Sequence, residues 1–158
     1  MKAIFACDIN WGIGKNGDLP WEKNTEDLNW FKNMTQNSTV IMGRKTWESL
    51  PKKPLPQRHN IIVSNTLNNV CDENVEIVRL DIIRSRINFL KQRTKLWFIG
   101  GSQLFHLIVN KVDEIHISRI HGEYECDTFL DSKLINDYFK LIAESKNGNL
   151  HIETWERK

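Results

Sequence analysis

Two short stretches combine small residues with backbone amides in a pattern suited to phosphate. Gly43-Arg44-Lys45-Thr46 and Gly100-Gly101-Ser102-Gln103 each follow an apolar run and open a segment with helical periodicity. A helix start leaves backbone N–H groups without partners and carries partial positive charge, so an anion gains hydrogen bonds and field there. A lone Gly-Gly before a helix usually marks only a tight turn. Two such junctions, one with Arg44, Lys45 and Thr46, point to a nucleotide with several phosphates. Neither has the G-x-G-x-x-G or G-x-x-x-x-G-K-[ST] spacing, which sets aside Rossmann and P-loop domains.

Asp27 is the carboxylate most suggestive of proton chemistry. On a helix it shares the flank of Phe31 and sits one step from Leu28, facing the core, whereas Glu26 suits an exposed first-turn acid. From spacing alone, a catalytic acid and a surface acid favoured by the helix dipole fit Asp27 equally well. His59, His106, His116, His121 and His151 show no metal-ligand spacing, and no G-x-S-x-G is present, so neither a metal centre nor a serine triad is expected. Trp11, Trp21, Trp30 and Trp47 lie near basic residues, but packing explains them better than nucleic-acid stacking in a nearly neutral chain.

The elements that must position these groups alternate between strand and helix, the signature of an α/β domain with a largely parallel sheet. Strands are expected at Ala3 to Asp8, Thr39 to Met42, Asn60 to Ser64, Val75 to Val78, Leu96 to Ile99 and Val112 to His121. A Gly-punctuated loop, Asn10 to Glu22, leads to a helix in which Asn24 caps the amide of Asp27 and Leu28, Phe31 and Met34 form an inward apolar face. Further helices are expected at Gly43 to Leu50, Asp81 to Lys91 and Ser102 to Val109. Tyr138 to Glu144 and Leu150 to Trp155 flank Asn147-Gly148, a strong hairpin signal, so the sheet should end in antiparallel strands.

A length of 158 residues fits one domain. With 40% hydrophobic and 27% charged residues, 8 Gly and 4 Pro, the composition is that of an ordinary folded protein. A net charge of +2 excludes a basic-tail function and gives no footprint for nucleic acid or acidic membrane. Cys7, Cys71 and Cys126 fit neither a disulfide framework nor a zinc knuckle. The run from Ala3 to Cys7 is too short for a signal-peptide core and no apolar run would span a membrane, so a cytoplasmic location is expected.

Leu19-Pro20-Trp21, Asp27-Leu28-Asn29-Trp30-Phe31-Lys32, Met42-Gly43-Arg44-Lys45-Thr46-Trp47-Glu48-Ser49, Pro54-Leu55-Pro56 with Arg58, Ile99-Gly100-Gly101 and Asp127-Thr128 together resemble the dihydrofolate reductase family in order and spacing. The resemblance runs from Ala3 to about Leu130. It implies a single domain with an eight-stranded, mostly parallel sheet, an antiparallel C-terminal hairpin and about four flanking helices. It also implies NADPH-dependent reduction of 7,8-dihydrofolate to tetrahydrofolate, by hydride transfer to C6 and protonation at N5, in a monomer that binds antifolates.

In that family Asp27 would hold the pterin amidine edge, supported by Ser118, with Trp21 and Leu19 closing the loop over the site. Ile4, Ala6, Leu28, Phe31, Leu50, Leu55 and Ile99 would wall the substrate, and Arg58 would bind its glutamate α-carboxylate. The cofactor would lie along Ala6, Ile13, Gly14, Leu19, Gly43, Arg44, Lys45, Thr46, Ile99, Gly100, Gly101, Ser102, Gln103, Leu104, Phe105 and Thr128, with Ser64 and Asn65 at the 2′-phosphate. The resemblance further implies a cis Gly100–Gly101 peptide. Two other readings compete: a reductase of the same fold acting on a pyrimidine of riboflavin synthesis, against which Asp27 and Arg58 argue, and a non-catalytic folate- or nucleotide-binding module.

Overall fold

A computed structural model describes all 158 residues. One eight-stranded sheet organises the chain: β1 (Lys2–Cys7), β3 (Thr39–Gly43), β4 (His59–Val63), β5 (Val75–Val78), β6 (Leu96–Gly100), β7 (Glu114–Arg119), β9 (Phe139–Asn147) and β10 (Leu150–Arg157). Their order is β5-β4-β3-β6-β1-β7-β10-β9. All pairings are parallel except β10 with β7 and with β9. Two short strands, β2 (Gly12–Gly14) and β8 (Thr128–Phe129), pair separately.

The connecting helices are α1 (Thr25–Thr35), α2 (Arg44–Ser49), α3 (Ile83–Leu90), α4 (Ser102–Ile108) and α5 (Ser132–Tyr138), with a 3-10 turn at Val109–Lys111. The expectation of about four flanking helices is met by five, of which α5 was not expected individually. α5 starts at Asp131, whose side chain caps the Leu134 amide at 3.0 Å, so its signal was a single capping residue before a short segment. β2 lies inside the expected loop because Gly12 and Gly14 gain partners only from a segment over a hundred residues away. α3 starts at Ile83, two residues later than expected, after a turn in which the Ile82 amide bonds the Arg79 carbonyl.

Strand alternation sorts the apolar side chains onto two faces. Ala3, Phe5 and Cys7, with Ile41, Ile61, Val63 and Phe98, build the larger core. There Phe105 stacks on Phe98 at 5.9 Å and meets Phe5 edge-on at 5.5 Å, pairs that each add about 0.5–1.5 kcal/mol beyond burial. Ile4, Val40, Met42, Ile62 and Trp97 face the other side with Trp47. Against this smaller core lie Phe31, Met34, Leu50, Leu55 and Ile99, all only partly buried. These half-covered side chains are the apolar surface on that sheet face that can line a cleft beside α1.

Candidate active site

The two glycine junctions lie side by side, because β3 and β6 are neighbours and both run into helices at the same edge of the sheet. Between Ile41–Phe98 and Met42–Gly100 the pairing slips by one residue, leaving Ile99 as the extra residue of a bulge. A Cβ built on Gly43 would stand 3.7 Å from the Gly101 nitrogen. One on Gly100 would stand 2.9 Å from Thr46 Oγ1, at a φ of +136°. The Gly100–Gly101 peptide is cis, as expected. Neither Gly43 nor Gly101 offers a side-chain cap, so the first amides of α2 and α4 have no side-chain acceptor at those positions. A glycine-lined backbone cradle bordered by Thr46 and Leu104 can take the phosphates of a nucleotide.

Arg44 is exposed and paired with Glu48 at 2.8 Å, while Lys45 makes no ion pair. Further along the sheet edge, Ser64 Oγ accepts from the Leu67 amide at 2.9 Å and Asn65 Oδ1 from the Leu80 amide at 3.0 Å. The Asn65 bond brings Arg79 alongside, an exposed cation 3.3 Å from Asp81. Sequence reasoning missed Arg79. Its signal was a cation directly after the β-branched run of β5, and only the β4–β5 pairing, continued by the Ser64 amide to the Val78 carbonyl, puts it there. Leu104 reaches the cradle, its Cδ2 3.9 Å from the Gly43 Cβ position. The Phe105 ring is 1% exposed, packed edge-on against Phe5 and stacked on Phe98.

α1 supplies the opposite wall. Asn24 Oδ1 caps the Asp27 amide at 3.0 Å, as its sequence implied. Asp27 is 6% exposed and makes no ion pair; burial pushes its carboxyl above the usual carboxylate range, and the nearby Ser118 hydroxyl opposes that shift. Ser118 is opposite Ala6 in the β1–β7 register. The helix face does not pack inward as a continuous stripe: Leu28 is 38% exposed, and Phe31 and Met34 are half-buried. Leu28 therefore leaves the expected core face for the rim of the cleft, since no strand side chain closes over it.

At the other end of α1, Thr35 Oγ1 accepts from Arg58 Nη1 at 2.9 Å, and Arg58 Nε donates to the Pro56 carbonyl at 2.9 Å. The guanidinium lies over the Phe31 ring at 5.8 Å. Arg58 is 7% exposed, makes no ion pair, and burial lowers its pKa. A buried cation without a counter-charge is costly unless an anion joins it.

The loop between β2 and α1 carries Leu19, which is exposed, and Trp21, which is buried. Its anchor is β2, where Ile13 and Gly14 are partly buried and Gly14 is opposite Thr128. The Asp127 amide bonds the Gly14 carbonyl at 3.0 Å, and Asp127 Oδ2 accepts from the Asn16 amide at 2.8 Å. Cys126 fills the space above Gly12 and donates to the buried Asp8 carboxylate at 3.3 Å. Away from the cleft, Glu144, His151 and Glu153 come together across the β9–β10 hairpin. Both Glu153 oxygens already accept from Arg119, at 3.0 Å each, and one also from Trp155. Cross-strand pairing assembles this cluster, so no spacing along the chain announced it.

The family model described as dihydrofolate reductase matches residues 1–154. A dihydrofolate reductase of Haemophilus influenzae is 37% identical, the match covering 82% of this chain and 77% of that protein. One of Mus musculus is 30% identical over 100% of this chain and 97% of its own length. A bifunctional dihydrofolate reductase-thymidylate synthase of Paramecium tetraurelia is 36% identical over 94% of this chain, which spans 32% of that longer protein.

Proposed function

The chain belongs to the dihydrofolate reductase family and reduces dihydrofolate to tetrahydrofolate; on that premise we propose that NADPH is its hydride donor and that Asp27 and Arg58 hold the two ends of the substrate. One observation carries this reading. Two buried side chains of opposite charge, neither with a counter-ion, stand at the two ends of α1: Asp27 in its first turn and Arg58 on Thr35 at its last residue. A helical step of eight positions, Asp27 to Thr35, sets these anchor points roughly 12 Å apart along the axis. Between them lie Phe31, Leu50, Leu55 and Ile99 over Ile4. The ligand that satisfies such a cleft has a flat donor edge at one end, an apolar middle and a carboxylate at the other.

Asp27 accepts two hydrogen bonds from the pterin amidine edge, and its charge in a poorly solvated site favours a proton on N5. Ser118 steadies the carboxylate from the neighbouring strand. Trp21 excludes bulk water from the reacting edge and Leu19 completes the cover. Arg58, its fork oriented by Thr35 and Pro56, meets the glutamate α-carboxylate. Bound NADPH supplies the hydride. Its phosphates fit the cradle of Gly43, Gly100, Gly101 and Ser102 beside Thr46, with Arg44 and Lys45 at the rim and Ser64, Asn65 and Arg79 towards the 2′-phosphate.

A cytoplasmic location fits the three unpaired thiols, and the family resemblance implies a monomer. No helix is long and apolar enough to cross a membrane. The test is NADPH oxidation followed spectrophotometrically with dihydrofolate, and with a riboflavin-pathway pyrimidine as control. Turnover with dihydrofolate alone is expected. Turnover with the pyrimidine alone, or tight antifolate binding without any turnover, would overturn the reading.

A further inference from the structure

Trp21 is held from one side by a residue that the reaction has not yet used. Its indole and the ring of Tyr124 meet edge to face, with centroids 5.7 Å apart at 69°. The Tyr124 ring is fixed independently of Trp21, because its hydroxyl donates to the His121 carbonyl at 2.7 Å and folds the side chain back over its own turn. The turn permits this fold: Gly122 has a φ of +115°, and a Cβ there would stand 3.1 Å from Tyr124 Oη and 3.2 Å from two ring carbons. Beyond Tyr124 the same segment is tied to the start of the covering loop through Cys126 to Asp8, Asp127 to Gly14, and Asn16 to Asp127. Trp21 is 8% exposed although its neighbours Leu19, Glu22 and Lys23 are exposed, and the Tyr124 ring from a distant segment is one of the contacts that cover it.

We propose that Tyr124 is a positioning residue for the reduction, setting the Trp21 indole in its covering pose over the substrate. The proposal rests on the role of Trp21 given above. Edge-to-face geometry is directional, because the positive ring edge seeks the negative ring face, so Tyr124 selects one orientation of the indole. Such a pair shifts the occupancy of the covered pose by roughly 2- to 12-fold. Gly122 and the His121 carbonyl serve the pose by leaving room for the Tyr124 ring and tethering it.

The test is a double-mutant cycle on kcat and on KM for dihydrofolate, with a thermal melt of each variant to verify folding. Tyr124→Leu should lower kcat at neutral pH by roughly 2- to 12-fold. Tyr124→Phe, which keeps the ring and loses the tether, should restore most of that loss. In a Trp21→Leu background, Tyr124→Leu should cost nothing further. Additive losses would show that Tyr124 does not act through Trp21 and would overturn the proposal, as would a costly Trp21→Leu beside a silent Tyr124→Leu. If Trp21→Leu alone left kcat and KM unchanged, the covering role itself would fall, and the proposal with it.

Discussion

The Thr35 hydroxyl donates to the Phe31 carbonyl at 2.8 Å and accepts from Arg58 Nη1 at 2.9 Å. One buried oxygen thus ties the last turn of α1 to the buried Arg58 guanidinium beside Phe31 and orients its fork. Thr35→Val keeps the shape and removes the acceptor, leaving a charged N–H unpaired. KM for dihydrofolate should rise about tenfold, equivalent to ~1.4 kcal/mol, with kcat less affected. Arg58→Leu should raise KM more, and Arg58→Lys should recover only part. With a pterin lacking the glutamate tail, wild type and Arg58→Leu should have similar kcat/KM; a variant that remained crippled would remove Arg58 from the tail site.

Asp27→Asn should lower activity at neutral pH by about 10²–10⁴-fold while Glu26→Gln changes little. The loss should shrink as pH falls and the substrate arrives already protonated; a flat pH–rate profile would remove Asp27 from proton delivery.

The same substitution should make the protein more stable at neutral pH. Burial raises the folded Asp27 pKa above its unfolded value. In the window between the two values the native state keeps a proton that the unfolded chain has lost, so stability falls as pH rises through it. Asn never ionises. Chemical denaturation at pH 7 should show the variant more stable than wild type, and the difference should vanish below the usual carboxylate range. A loss of stability at pH 7 would contradict the unpaired, buried charge.

Gly100→Ala would place a methyl 2.9 Å from Thr46 Oγ1 at a φ of +136°. Both the clash and the backbone conformation act on the cradle, so NADPH affinity should drop by at least tenfold while antifolate binding alone is less affected. Thr46→Ala in the Gly100→Ala background should recover part of the loss by removing the clash. No recovery would assign the whole effect to the backbone.

Arg44 spends its guanidinium on Glu48 at 2.8 Å, and Arg79 stands beside Asp81. Arg44→Ala should weaken NADPH far more than NADH, Arg79→Ala should do so to a smaller extent, and Glu48→Gln should strengthen NADPH by freeing Arg44. These pairs are exposed, so each effect should decrease with salt. Equal losses for both cofactors would assign Arg44 to the pyrophosphate or to the fold.

Local pattern already contained the parallel sheet, the starts of α1, α2 and α4 and the two glycine junctions. β-branched runs, the Asn24 cap and glycines before helices express their preferences within a few residues, and the ordered motifs placed Asp27 and Arg58 in one family site. The closing hairpin was equally legible, since Asn147-Gly148 defines its own turn. What the chain pattern did not contain is every relation made across it. Leu28 belongs to an apolar stripe by periodicity, but whether a stripe is core or cleft wall depends on what stands opposite. The packing of the Phe105 ring in α4 against Phe5 and Phe98 of two strands is likewise set by tertiary contact. β2, β8 and the Glu144, His151 and Glu153 cluster exist only through pairing, as do the bond from the Leu80 amide to Asn65 and the contact of Tyr124 with Trp21. Helix caps and turns draw their energy from neighbours in sequence; burial, bulges and cross-strand contacts draw theirs from neighbours in space, and only the folded chain decides who those are.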